Sequence, residues 1–147
     1  MRIKEHVTLL GQCGQPGARI LVVDDNASVR HSLRVLLESN HNWRVCDEAS
    51  DGHEAIAKFD EKLFDLVVLD FQMPGISGFD AAKQMTQRFP NARILMVTLH
   101  YSAQLVQEAQ RIGIKGICAK TDSKSVVEGA AAILDNGLYF SNSAPAE

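Results

Sequence analysis

At 147 residues, with 46% hydrophobic and 22% charged residues and a formal charge of −3, the chain has the size and balance of one globular domain with a full core. No apolar run approaches the 18 or so residues of a membrane span, and the N-terminus lacks a signal-peptide core, so a cytoplasmic setting with no membrane partner is expected. The acidic balance and the lack of a dense Lys/Arg run lead to the expectation of no direct nucleic acid binding by this chain. Cys13, Cys46 and Cys118 are widely separated, odd in number and without C-x-x-C spacing, so reduced thiols are expected, with neither a disulfide framework nor a zinc site.

In chain order, residues 1–17 hold a short apolar patch and a glycine-rich stretch, and read as a loosely ordered extension. Ala18 to Val23 is an apolar strand that ends in Asp24-Asp25. Asn26 then stands as N-cap of a helix with Val29, Leu33, Leu36 and Leu37 at helical spacing. Trp43 to Ala49 is a second strand, and Asp51-Gly52-His53-Glu54 has the pattern of a capping box opening a helix with Ala55, Ile56 and Phe59 inward. Leu66 to Leu69 is apolar at every position, as suits a parallel strand covered on both faces, and it delivers Asp70 to its exit before the turn through Pro74-Gly75. A helix from about Ser77 to Arg88 packs Phe79, Ala82 and Met85. The fourth strand, Ile94 to Val97, ends in Thr98. Leu105, Val106, Ala109 and Ile112 give the next helix its apolar face, with Gly113 as C-cap. Gly116 to Ala119 is a short fifth strand ending in Lys120. Val126, Ala130 and Ile133 mark a last helix that closes near Asn136-Gly137. The domain spans 18–140, and residues 141–147 form a polar tail.

Five strands alternating with five helices imply right-handed crossovers and a doubly wound α/β fold, a five-stranded parallel sheet in the order 2-1-3-4-5. Ligands of such sheets gather at the carboxyl ends of the strands. A lone strand-end aspartate often does no more than cap a turn, but here Asp24-Asp25, Asp70, Thr98 and Lys120 all meet at one rim. Neighbouring strands lie about 4.8 Å apart, so a group two strands from Asp70 must bridge roughly 10 Å, which suits a lysine and not a short side chain. Three carboxylates and one ammonium leave about −2 in the pocket, a crowding that a divalent cation relieves. Hard oxygen ligands with room for water suit Mg²⁺, with Mn²⁺ as the alternative ion. An Asp70 oxygen can then attack an anionic phosphodonor in line to give an aspartyl phosphate.

Asp24-Asp25, the Asp70-x-x-Met-Pro-Gly turn, the Thr98 strand end and Lys120 together resemble the signature of the receiver domain of bacterial two-component response regulators. Pro74 to Gly78 and Leu134 to Ser141 resemble the NarL/FixJ class. The resemblance implies a flavodoxin-like fold, Asp70 as phosphoacceptor with Thr98 and Lys120 beside it, and a metal held by Asp25, Asp70 and the backbone carbonyl of Gln72, with Asp24 acting through a metal-bound water. It also implies a sensor histidine kinase as partner, a homodimer on activation, and a signalling domain that catalyses its own phosphorylation and dephosphorylation. A helix-turn-helix domain usually follows such receivers, so the chain is expected either to act alone or to be part of a longer regulator. Two positions depart from the pattern: Ile117 stands where an aromatic switch residue is usual, and Thr121 where proline is common. Gln72 and His100 are expected to tune phosphoryl lifetime. The rival reading is a degenerate receiver acting as a phosphorylation-independent interaction module. A haloacid-dehalogenase-like phosphatase would need a second acid where Gln72 stands, and a flavin phosphate would be repelled by Asp24-Asp25.

Overall fold

The computed structural model describes residues 17–140. The extension expected over 1–17, Gly17 apart, and the tail over 141–147 lie outside the described residues. In chain order the elements are β1 (Ala18–Val23), α1 (Ala27–Glu38), β2 (Trp43–Ala49), α2 (Gly52–Glu61), β3 (Leu66–Asp70), α3 (Gly78–Arg88), β4 (Ile94–Thr98), α4 (Ala103–Ile112), β5 (Gly116–Ala119), α5 (Ser123–Leu134) and β6 (Tyr139–Phe140). All strands run parallel, in the order β2-β1-β3-β4-β5-β6. The expected five-stranded sheet is therefore corrected to six strands among the described residues. The sixth strand, where the sequence predicts no element, is two residues long, too short to show any periodicity.

The sheet divides the core into two layers. Ile20, Val22, Leu66, Val68, Leu95 and Val97 face α1 and α5. Leu21, Val23, Val67, Leu69, Ile94 and Met96 face α2, α3 and α4. Every residue of β3 and β4 is buried, which explains why their sequences run apolar without alternation. Each helix starts where a polar side chain accepts the N–H three residues on: Asn26, Asp51, Ser77, Ser102 and Asp122. At α2 the expected box is displaced by one residue, because Glu54 reaches back to the N–H of Ser50 and not to that of Asp51. Gly113 ends α4 in the left-handed conformation.

Between Ile20 and Leu21 the register with β2 slips, so that Val45 and Asp47 are paired and Cys46 is the extra residue of a bulge. Cys46 is disulfide-bonded, against the expectation of three reduced thiols. Cys118 is a buried free thiol, pushed up to about 12 by burial. No helix among the described residues is long and apolar enough to cross a membrane.

Candidate functional site

The carboxyl rim of the sheet brings the expected residues together. β1 lies beside β3, with Val23 paired to Leu69, so Asp24 leaves the sheet next to Asp70. Asp70 pairs with Val97, and Thr98 with Ala119, which places Lys120 one residue beyond the register. The Lys120 ammonium crosses the rim to lie 2.8 Å from Asp24 Oδ2 and 3.2 Å from Asp70 Oδ2. Asp24, Asp70 and Thr98 are buried, whereas Asp25 is exposed at the mouth.

The surrounding backbone fixes these groups. Asn26 serves twice: its side chain caps α1, and its N–H donates to Asp24 Oδ1 at 2.9 Å. Arg30, which sequence reasoning passed over, donates to the Asp24 carbonyl at 2.7 Å while its Nε is held by Glu48 at 3.0 Å. Its only signal in the sequence is its place one helical turn after Asn26, facing β2. After β3 the chain turns back so tightly that the Gly78 N–H donates to the Phe71 carbonyl at 2.8 Å, and a Cβ at Gly78 would overlap the Asp70 carbonyl oxygen. Glycine there is what lets α3 start directly against the site. The Thr98 hydroxyl accepts the His100 N–H at 3.0 Å. Gln72 is exposed, and its backbone hydrogen-bonds to Asp70. The Lys120–Thr121 peptide is trans, since no cis bond occurs among the described residues.

Burial, followed by the charge of Asp24, pushes the Asp70 carboxyl above its usual range against the pull of Lys120. Burial works to lower Lys120, but its pairing with the Asp24 and Asp70 carboxylates outweighs this and raises it, so the ammonium stays charged. Asp24 Oδ2 lies close to Lys120 in distance yet accepts no well-aligned hydrogen bond, a deficit for a fully buried carboxylate oxygen. One carboxylate oxygen from each of Asp24, Asp25 and Asp70 lies within 4.8 Å of the others. A hard-oxygen donor set with net negative charge and one under-satisfied buried oxygen fits a divalent cation of the Mg²⁺ type.

Residues 20–131 match the family model of the response regulator receiver domain. The transcriptional activator protein ExaE of Pseudomonas putida is 36% identical over 122 residues, 82% of this chain and 57% of ExaE. The chemotaxis protein CheY of Thermotoga maritima is 35% identical over 104 residues, 71% of this chain and 86% of CheY. A solved structure of a two-component response regulator of the LuxR family from Aurantimonas sp. SI85-9A1 matches with a TM-score of 0.82 at 34% identity, covering 86% of this chain and 91% of that one. The chain spans about half the length of the transcriptional regulators it matches. These relatives overturn the expectation that set nucleic acid aside. They are named as transcriptional activators and regulators, and a formal charge of −3 on 147 residues says nothing about the partners of a regulator of their length.

Proposed function

The chain belongs to the response regulator receiver domain family, on its NarL/FixJ-like side, and from that premise we propose that residues 18–140 form a cytoplasmic receiver that accepts a phosphoryl group from a sensor histidine kinase onto Asp70 and switches conformation to relay the signal. The observation that carries this reading is the Asp70 carboxylate, buried at the exit of β3 and 3.2 Å from the Lys120 ammonium. Asp24, Asp25 and Asp70, with the carbonyl of Gln72, would hold Mg²⁺ or Mn²⁺, which supplies the positive charge that lets an anionic phosphodonor approach.

An Asp70 oxygen attacks the phosphorus of a phosphohistidine. The new O–P bond forms as the P–N bond breaks, and the histidine nitrogen leaves with the electron pair. Lys120 gives up part of its hold on the carboxylates and neutralises charge on the phosphoryl oxygens. The Thr98 hydroxyl turns its proton toward a phosphoryl oxygen, and its bond to the His100 N–H makes the segment after β4 follow. The relatives named as transcriptional regulators make transcription the proposed output of the regulator as a whole.

Acetyl phosphate should label the protein only with Mg²⁺ or Mn²⁺ present, and Asp70→Asn should abolish the label. Undiminished labelling of Asp70→Asn, or labelling indifferent to EDTA, overturns the proposal. Absence of label from any donor favours the degenerate interaction module.

A further inference from the structure

β6 lies on the edge of the sheet, next to β5, the strand that delivers Lys120. Tyr139 pairs with Gly116 and Phe140 with Ile117, and the Tyr139 N–H donates to the Lys115 carbonyl at 2.9 Å. The seat of Tyr139 is cut from two elements. A Cβ on Gly116 would come within 2.6 Å of the Tyr139 carbonyl oxygen, and a Cβ on Gly129 within 3.0 Å of its ring carbon Cδ2. A side chain at Gly116 would clash with the Tyr139 backbone and one at Gly129 would press on its ring, so a strand and a helix both leave room for it.

From that seat the Tyr139 hydroxyl reaches Ser125 Oγ at 3.3 Å and Glu128 Oε1 at 3.1 Å, sharing its one proton between them. Ser125 Oγ donates in turn to Asp122 Oδ2 at 2.8 Å. Asp122 caps α5 by accepting the Ser125 N–H at 3.1 Å, and its own N–H donates to the Ala119 carbonyl at 3.1 Å. Between Ala119 and Asp122 sits Lys120, whose N–H donates to the Thr98 carbonyl at 2.7 Å. A continuous line of hydrogen bonds therefore runs from the β6 hydroxyl to the turn that aims the lysine. A lysine side chain is a flexible stem, so its ammonium keeps its distances to two buried carboxylates only while that turn is held.

We propose that Tyr139 is a positioning residue for Lys120, through Ser125 and Asp122. Docking of β6 on the sheet edge and filling of the Asp70 pocket then favour each other, since coupling between two sites is reciprocal. The inference deepens the receiver reading and rests on it.

The test uses the full chain with Tyr139→Phe and Ser125→Ala, singly and together. Tyr139→Phe keeps the ring in its seat and removes only the hydroxyl. With Mg²⁺ present, beryllofluoride titrated by fluorine NMR should bind about three- to tenfold more weakly to each single variant. The double variant should bind no more weakly than the weaker single one, because both changes cut the same line. In the absence of metal and fluoride, the amide and side-chain nitrogen resonances of Lys120 should already move in both variants, a readout that lost stability alone does not give. In the unaltered protein, beryllofluoride should slow exchange of the Tyr139 amide. Variants that melt lower but keep both the affinity and the Lys120 resonances overturn the inference and leave Tyr139 a structural residue. If the unaltered protein fails to bind beryllofluoride, the receiver reading itself falls, so the two failures are distinguishable.

Discussion

Burial and the neighbouring Asp24 charge hold the Asp70 carboxyl above the usual carboxylate range, even with Lys120 3.2 Å away. For an acid, a raised value in the folded state means that the fold binds the proton more tightly than the unfolded chain does. Its contribution to stability is complete below the ordinary carboxylate pKa of about 3.9 and is lost as pH rises through the raised folded value. At neutral pH, then, the ionised Asp70 strains the metal-free fold. Asp70→Asn removes one charge from a buried pair while keeping the shape, and should stabilise the protein in EDTA at pH 7 by about 1–2 kcal/mol. The gain should shrink as pH is lowered toward 4. Urea unfolding curves at both pH values check it, and equal stability of the two proteins at pH 7 would show that Lys120 already cancels the crowding.

At the scale of the element, β2 shows how one extra residue sets up two clamps. Before the bulge, Trp43 and Val45 face the α1 side; beyond it, Asp47 and Glu48 point to opposite faces. Glu48 takes Arg30 and Arg34 of α1, so the strand steadies the arginine that pins the Asp24 turn. Asp47 takes Lys62 at 2.5 Å and Lys58 at 2.9 Å. Burial works to raise Asp47, but the bonds from Lys62 and Lys58 outweigh it and hold the carboxyl below its usual range. The sign is opposite to that of Asp70. Stability from Asp47 is present above the ordinary carboxylate pKa of about 3.9 and is lost as pH falls through the depressed folded value. Asp47→Asn should cost about 1 kcal/mol at pH 7, a partly exposed clamp being screened, and should flatten the acid limb of the stability profile below about pH 4. Thermal unfolding between pH 2.5 and 7 would show it, and a parallel downward shift at every pH would count against the clamp.

At the scale of the whole molecule, the helices are legible because each is long enough to display a period, the first five strands because they are short, mostly apolar runs bounded by turns or charges, and the candidate site because its side chains end the strands. Asp70 announces itself as the first charge after four apolar residues. The bulge at Cys46 was hidden, since one added residue in a mixed strand leaves the composition unchanged. β6 was hidden by its length, and Arg30 because an exposed-looking basic residue on a helix gives no sign that its guanidinium reaches a loop carbonyl. Ile117 was singled out as a missing aromatic. In the structure it is fully buried and pairs with Phe140, a neighbour that only the sixth strand supplies.

The fold and the site meet in the response to a divalent ion. A ligand that binds only the native state adds RT ln(1 + [L]/Kd), about 2.7 kcal/mol at a hundredfold excess over Kd. The cluster of Asp24, Asp25 and Asp70 exists only when β1 and β3 are paired, so the unfolded chain offers no equivalent site. Mg²⁺ should therefore raise the unfolding midpoint of the unaltered protein in proportion to the logarithm of its concentration. Asp70→Asn and Asp25→Asn each delete a charged donor and should respond far less. For Asp70→Asn the order of stability should consequently reverse: the variant is the more stable protein in EDTA, and the unaltered chain overtakes it as Mg²⁺ is added. Thermal melts across a Mg²⁺ series, repeated with equal ionic strength from NaCl, separate specific binding from screening. If Mg²⁺ raised all the midpoints equally, or NaCl did as well as Mg²⁺, the three aspartates would not be a cation site, and the balance of charge around Lys120 would have to be struck without one.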